Sequence, residues 1–319
     1  MARNFAMVGL TKKDIFQNSV NYGLFTGGLG IHNGIERLGA TAVPAGVGHT
    51  LRQLEMMIDF GVTAIHCTPS YALYLAETAV EHDMVDKLKL KVGCLGAEPW
   101  SDNMRKNIED MLHIKAYDSY GLSEMFGPGI AFECPEQNGL HIWDDHFFVE
   151  VLDKNGEQVS EGEKGELVLT SLTKEGLISI RYRTGDITRL LESDCECGRH
   201  STKISRLIGR VDDMVTVRGI NVYPTQIQDV ISKIPEVSNQ FQMILTRNSK
   251  KMDEMTVQVE LEKDAFTDDL IKLEAIQQKV ISELMNVLNV RTSVDLLEFG
   301  SIERTGGKSK RIIDKREPI

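Results

Sequence analysis

Two groups of residue types in this sequence could do chemistry. The first is near the end of the chain, where "ERTGGKSKRI", Glu303 to Ile312, sets a glycine pair before Lys308. Glycine lets a backbone approach an anion closely and lysine brings a mobile point charge, so the stretch suits contact with phosphate or carboxylate. It is not a P-loop: the G-x-x-x-x-G-K-[ST] spacing is missing, and only seven residues follow Ile312, too few for the helix a P-loop opens. Lys308 must therefore act on a site built elsewhere. The second group is sulfur and imidazole. "CECGRH" separates Cys195 from Cys197 by one residue, and "FECPEQNGLHI" sets Cys134 seven positions before His141. Three thiolates and an imidazole make a closed, structural zinc shell. The C-x-C spacing is tighter than a zinc-ribbon pair, so His200 as the fourth ligand, or buried thiols without metal, remain alternatives.

Composition narrows the partners. The chain has 319 residues, 41% hydrophobic and 26% charged, which is ordinary for a globular protein with one large or two medium cores. A net charge of -11 argues against broad binding to nucleic acid or to an anionic membrane, while Lys308, Lys310 and Arg311 leave a small phosphate ligand open. There is no apolar run long enough for a membrane span, and "MARNFAMVGLTKKD" lacks the apolar core of a signal peptide, so the cytoplasm is the expected compartment. The five cysteines are odd in number and unevenly spread, unlike a disulfide framework; Cys67 and Cys94 lie in apolar runs that read as core.

The elements that must position these residues follow three textures. In the first half, "TLRQLEMMIDFG" puts Leu51, Leu54, Met57 and Ile58 on one helical face behind a Thr50 cap, and "TAIHCT" follows as a buried strand. The rhythm continues with a helix from about Ser70, the strand "KVGCLG", a helix capped by Ser101 with Met104, Ile108, Met111 and Leu112 inward, and the segment "KAYDSYG". From about residue 140, "HFFVEVLDKNGEQV" reads as a hairpin turning at Asn155-Gly156, and "GELVLTSL" as a strand. Beyond Gly209 the order is β-α-β-β-α-β: "MVTVRG", a helix opened by Pro224, "FQMILT", "MTVQVELE", a helix from Phe266 to Leu288, and "TSVDLLEF". The boundary falls inside "GRVDD", residues 209–213.

Four more stretches join "TGGKSK" in order: "GAEPW", "YDSYGLSE", "YRTGD" and "GRVDDMVTVRG". Together they resemble the adenylate-forming superfamily of acyl-CoA synthetases, and "YGLFTGGLG", "TPSYALYLAE" and "GGKSKR" resemble its phenylacetate-CoA ligase branch. The resemblance implies an α/β fold: part of a large adenylate-forming domain with an antiparallel β region over residues 1–208, a hinge at 209–213, and a small α+β lid over 214–319. It implies ligation of phenylacetate or a related aryl acid to coenzyme A through an acyl-adenylate, with ATP, Mg²⁺ and coenzyme A as small-molecule partners, and it is compatible with a homodimer.

Residue roles follow from the same resemblance. Glu124 would help hold Mg²⁺, a hard carboxylate for a hard cation. Tyr120 would pack on adenine, with Gly96, Ala97, Glu98, Pro99, Asp118, Ser119 and Gly121 lining the base. Asp186 would accept from the ribose hydroxyls with Arg210 assisting, and Lys308 would reach the carboxylate and α-phosphate from the lid. Asp212 would be the hinge about which one site hosts two half-reactions, and Gly219 would border the pantetheine tunnel. Tyr22, Phe25, Tyr71 and Phe132 could shape an aryl pocket, with core packing as the competing reading.

One family feature is absent. No Ser/Thr/Gly-rich loop ending in lysine, of the kind "SGTTGKP", occurs; "FTGGLG" has the glycines without the lysine. The expectation is a chain that begins downstream of this loop, binds adenosine nucleotides and fails to turn over ATP. The alternative function is a non-catalytic nucleotide- or CoA-binding remnant or regulatory homologue.

Overall fold

Short apolar runs alternating with amphipathic segments become a parallel sheet with helical crossovers. The computed structural model describes residues 1–23, 26–211, 213–218, 220–248, 252–267, 269–303 and 311–316. The chain divides into two units: one built from Met1–Pro99 and Arg105–Ile208, the other starting at Gly209 and taking in Trp100–Met104.

In the first unit, α1 (Ala2–Met7), β1 (Ile15–Asn18), α2 (Thr26–Leu38), β2 (Thr41–Val43), α3 (Thr50–Phe60), β3 (Ala64–Cys67), α4 (Pro69–Glu81), β4 (Val92–Gly96), α5 (Asp102–Leu112, from Arg105 on) and β5 (Lys115–Leu122) follow in order. Strands β2-β1-β3-β4-β5 lie side by side, all parallel. The residues of β3 and β4 are buried on both faces, which explains the unbroken apolar reading of "TAIHCT" and "KVGCLG". The chain steps from β1 to β2 on one side and then to β3 on the other, so strand order reverses at β1. In open α/β sheets ligands bind outside the carboxyl ends of strands near such a reversal.

The sheet then turns antiparallel through β6 (Gly127–Glu133), β7 (Leu140–Ile142), β8 (Phe147–Leu152), β9 (Lys164–Ser171), β10 (Tyr182–Leu191) and β11 (Lys203–Ile204), in the spatial order β5-β6-β7-β11-β10-β9-β8. One apolar cluster, with Phe5, Phe16, Ile31, Ile35, Tyr117 and Phe132, fills one part of this unit. A second, around Met125, Ile142, Val151 and Leu169, fills the antiparallel region.

The second unit contains β12 (Gly209–Arg210), the hairpin β13 (Val215–Val217) and β14 (Ile220–Val222), α6 (Pro224–Ile231), β15 (Val237–Arg247), β16 (Asp253–Leu261), α7 (Leu270–Leu288), β17 (Thr292–Leu297) and β18 (Ile312–Asp314). Its sheet runs β17-β16-β15-β18. Ile227, Val230 and Ile231 of α6 and Val280, Leu284 and Leu288 of α7 are buried in its core with Met243, Val257 and Val294. The Asp269 carboxylate caps α7 by accepting from the Ile271 and Lys272 amides.

The α/β reading with a smaller second sheet unit holds, and local details differ. Helix α3 starts one residue earlier than a Thr50 cap requires: His49, in a left-handed conformation, holds the cap position and Leu51 is exposed. The Asn155-Gly156 turn is present, with Gly156 at positive φ, but its second arm makes only the bridge Leu152↔Gln158, and β8 pairs instead with β9. Helix α7 begins at Leu270 rather than Phe266, because Asp269 supplies the cap. Strand β18, from "RIID", had no alternation to mark it; its register against β15 makes it a strand.

Candidate functional site

Residues of "GAEP", "YDSYG" and "YRTGD" come together at the carboxyl edge of the parallel sheet. Gly96 ends β4 opposite Ser119 of β5. A Cβ on Gly96 would stand 2.1 Å from the Ser119 carbonyl oxygen, so only glycine lets the strands come this close. Ala97 follows at φ 73°, a left-handed conformation that a non-glycine residue seldom adopts, which turns the chain sharply at the strand end. Gly121 is nearly as tight, because a Cβ there would lie 2.3 Å from the Gly127 carbonyl oxygen where β6 begins.

Tyr120 and Asp186 form the centre. The Tyr120 hydroxyl donates to Asp186 Oδ2 at 2.6 Å, and the two residues are only 7% and 5% exposed. Asp186 lies on a bulge: the β10–β9 register shifts between Arg183 and Ile187, which re-aims the side chain. The bulge is braced from β9 by Glu166, whose carboxylate accepts from the Gly185 amide at 3.2 Å and from Arg183 Nε at 2.8 Å. Thr184 Oγ1 accepts from the Asp186 amide and donates to the Leu167 carbonyl. Asp118, on the same strand as Tyr120, pairs with Arg206 Nε at 3.2 Å. A carboxylate and an aromatic ring fixed at a strand edge suit a ribose and a purine.

The remaining sequence-predicted residues fall in different places. Glu98 is directed to the start of α4, where it accepts from the Ser70 amide at 2.6 Å and from the Ser70 hydroxyl. That engagement places its carboxylate at the helix N-terminus, which it stabilises. Pro99 is half-buried beside it. Glu124 is exposed in the turn after β5, and Thr26 Oγ1 hydrogen-bonds Ser123 Oγ of that turn at 2.9 Å. Arg210 is half-buried on β12 in the second unit. Phe25, Asp212, Gly219 and Lys308 lie outside the described residues.

Of the aryl-pocket residues, Tyr22 follows β1 and Tyr71 follows β3, flanking the reversal in strand order. The Tyr22 hydroxyl accepts from Asn18 Nδ2 at 2.9 Å and lies 3.2 Å from His32 Nδ1. The Tyr71 hydroxyl contacts Thr50 Oγ1, and burial pushes its phenol up to about 12. Phe132 is a correction: its side chain has 0% exposure inside the Phe5, Phe16, Ile31, Ile35 cluster, so it is core and not pocket wall.

The sulfur and imidazole residues converge. The ligand atoms of Cys134, His141, Cys195 and Cys197 all lie within 4.8 Å of one another. Cys134 Sγ is 3.7 Å from Cys195 Sγ, and Cys197 Sγ is 3.4 Å from His141 Nε2. Burial drives the Cys134 thiol up to about 12. Burial, with help from Lys203 and Arg199, lowers the His141 pKa and favours the neutral imidazole that ligates metals. Ser201 Oγ contacts His141 Nδ1 at 3.2 Å, leaving Nε2 toward the thiols. His200 stands apart, exposed and paired with Asp194, so the alternative that placed it in the cluster fails.

Sequence reasoning missed Glu133, Glu166 and Arg206, which support the site from behind. The signal was there: Glu133 and Glu166 are charged residues inside apolar strands, "IAFEC" and "GELVL", and such residues stay buried only when paired.

An α/β sheet with a polar, glycine-bent edge carrying a fixed aromatic ring and carboxylate defines a nucleotide-binding class of protein. The chain belongs to the family of AMP-binding enzymes: the model of that family matches residues 7–173, and the model of the AMP-binding enzyme C-terminal domain matches residues 219–316. It is 40% identical to a phenylacetate-coenzyme A ligase of Thermus thermophilus, over 99% of this chain and 75% of that protein. It is 42% identical to one of Pseudomonas putida, over 99% of this chain and 72% of that protein. A crystal structure of 2-hydroxyisobutyryl-CoA ligase in the postadenylation state with 2-HIB-AMP superposes with a TM-score of 0.92 at 30% identity, covering 98% of this chain and 68% of that one. The resemblance read from the ordered short stretches is thus borne out.

Proposed function

We propose that this protein is an ATP-dependent acid–coenzyme A ligase that takes phenylacetate or a related aryl acid. The observation that carries the reading is the buried Tyr120–Asp186 pair at the carboxyl edge of a sheet whose relatives are phenylacetate-coenzyme A ligases. The carboxylate of the acid attacks the α-phosphate of ATP and pyrophosphate leaves. The thiol of coenzyme A then attacks the acyl carbon, a C–S bond forms, and AMP leaves. In this reading Tyr120 packs on the purine and Asp186 accepts from the ribose. Tyr22 and Tyr71, beside the reversal in strand order, bound the acid.

Glu124 is exposed where hard oxygen ligands are wanted and would hold Mg²⁺ together with phosphate oxygens. Lys308, Asp212 and Gly219 keep the roles of charge carrier, hinge and tunnel border, with the second unit as the lid. Cytoplasmic location and a homodimer complete the reading; no helix among the described residues is long and apolar enough to cross a membrane, and exposed Leu177, Ile178 and Ile180 offer apolar surface to a second copy.

Zinc belongs to the proposal as a structural ion held by Cys134, His141, Cys195 and Cys197. In a tetrahedral shell with Zn–S bonds of about 2.3 Å two sulfurs lie about 3.8 Å apart. The 3.7 Å between Cys134 and Cys195 matches that edge. Four protein ligands leave no open position, so the ion would tie the end of β6 to the loop between β10 and β11.

The test is calorimetric titration with AMP and with a non-hydrolysable phenylacetyl-adenylate analogue. The analogue should bind at least about tenfold more tightly than AMP, because it fills both subsites. Equal affinities would remove the acid subsite from this account.

A further inference from the structure

The strand that carries Asp118, Ser119 and Tyr120 is longer than the neighbour that supports it. The β5–β6 pairs are Ser119↔Phe132, Tyr120↔Ala131 and Leu122↔Gly127, and β6 ends at Glu133. Along a strand, alternate residues turn their amide and carbonyl toward the same neighbour. The positions that continue the sequence from Tyr120 are Asp118 and Ala116, and side chains serve both. Glu133 Oε2 accepts from the Asp118 amide at 2.8 Å. Glu109 Oε1 accepts from the Ala116 amide at 2.9 Å, and Gln137 Nε2 donates to the Ala116 carbonyl at 2.9 Å. The other Glu133 oxygen accepts from Arg105 Nη2 at 2.8 Å, with Glu133 fully buried and Arg105 7% exposed.

We propose that Glu133 is a positioning residue for the nucleotide: its carboxylate, oriented by Arg105, supplies the acceptor that fixes the Asp118 amide and so the pose of β5 under the purine. Glu133 touches no substrate. It acts through the strand, whose Asp118 and Tyr120 side chains are in turn engaged by Arg206 and Asp186. An apolar residue at position 133 would leave the Asp118 amide, the link nearest the purine face, without this acceptor. The inference rests on the reading of Tyr120 and Asp186 as the adenosine contacts.

The experiment separates acceptor from charge. In Glu133→Gln alone, the cationic Arg105 draws the amide oxygen to itself and turns the NH₂ group against the Asp118 N–H, donor against donor. Two double variants remove the ion pair altogether: Glu133→Gln with Arg105→Met, whose amide oxygen is released to serve Asp118, and Glu133→Met with Arg105→Met, which offers no acceptor. Both are measured for thermal stability and for AMP affinity by calorimetry. The Gln/Met protein should bind AMP within about threefold of wild type and the Met/Met protein about tenfold more weakly at comparable stability. Equal AMP affinity in the two double variants would overturn the proposal and leave Glu133 a packing residue. Asp186→Asn is run alongside: if it leaves AMP affinity unchanged, the adenosine site is misassigned, whereas weakening by Asp186→Asn with equal double variants sinks only the role of Glu133.

Discussion

Tyr120→Phe and Asp186→Asn act on the same 2.6 Å hydrogen bond and should have opposite consequences. Tyr120→Phe keeps the ring and removes the donor to a buried carboxylate. Hydrogen bonds to charged groups contribute about 1.5–3 kcal/mol, and the other partner here is left buried, so the first unit should lose about 2 kcal/mol of stability. For a unit of this size that corresponds to a fall of roughly 4–8 °C in its unfolding midpoint. AMP affinity should change less than about threefold, since the stacking face is intact. Asp186→Asn retains an oxygen that can accept from Tyr120, so stability should fall by less than about 1 kcal/mol. The carboxylate offered to the ribose hydroxyls is gone, however, and AMP affinity should drop about ten- to hundredfold. Urea denaturation followed by circular dichroism gives the first quantity and calorimetric titration with AMP the second. If Tyr120→Phe weakens AMP as much as Asp186→Asn does, the hydroxyl itself contacts nucleotide, and the division of labour drawn here is wrong.

Further expectations concern the metal, a buried histidine and a glycine. Protein purified without added metal should carry about one equivalent of zinc, and Cys195→Ser should lose it; a folded wild-type sample without zinc would end the metal assignment. His66 is buried with its Nδ1 2.6 Å from the Cys94 carbonyl oxygen, and burial pushes its pKa down to about 4. The unfolded chain therefore takes up a proton near pH 6.5 that the folded chain refuses until about pH 4, so stability should fall as pH drops through that window. The slope due to this group approaches about 1.4 kcal/mol per pH unit, and His66→Gln should remove that part of it; an unchanged slope in urea titrations at several pH values would refute the cause. Gly121→Ala forces a Cβ against the Gly127 carbonyl and should cost about 3 kcal/mol or more, seen as a lowered urea midpoint or loss of soluble protein.

What the sequence could show and what it could not divide along physical lines. Helices and strands whose burial is set by local period were legible: Leu54 and Met57 on α3, Ile227, Val230 and Ile231 on α6, and the doubly buried runs of β3 and β4. The cluster of Cys134, His141, Cys195 and Cys197 was legible because thiols and imidazole are shared soft-ligand types that stand out by kind, even though its halves lie some sixty residues apart, Cys134 to Cys195. The engagement of Glu98 by Ser70 was not, because it depends on where the end of β4 meets the start of α4. Phe132 shows the same limit: alternation says which residues are apolar, and only the packing of Phe5, Phe16, Ile31 and Ile35 says which ring is sealed in the core. Glu133, at the end of β6, and Arg105, on α5, are 28 residues apart, and it is the fold and not local spacing that brings them together.

The most direct test of acid–coenzyme A ligation uses its second half-reaction. Synthetic phenylacetyl-adenylate and coenzyme A are mixed with the protein, and phenylacetyl-coenzyme A and AMP are followed by mass spectrometry. Thioester should form in step with AMP, at a rate well above the uncatalysed background and lowered about tenfold or more by Asp186→Asn. Thioester formation no faster than background, or equally fast with the Asp186→Asn protein, would contradict acid–coenzyme A ligation at this site.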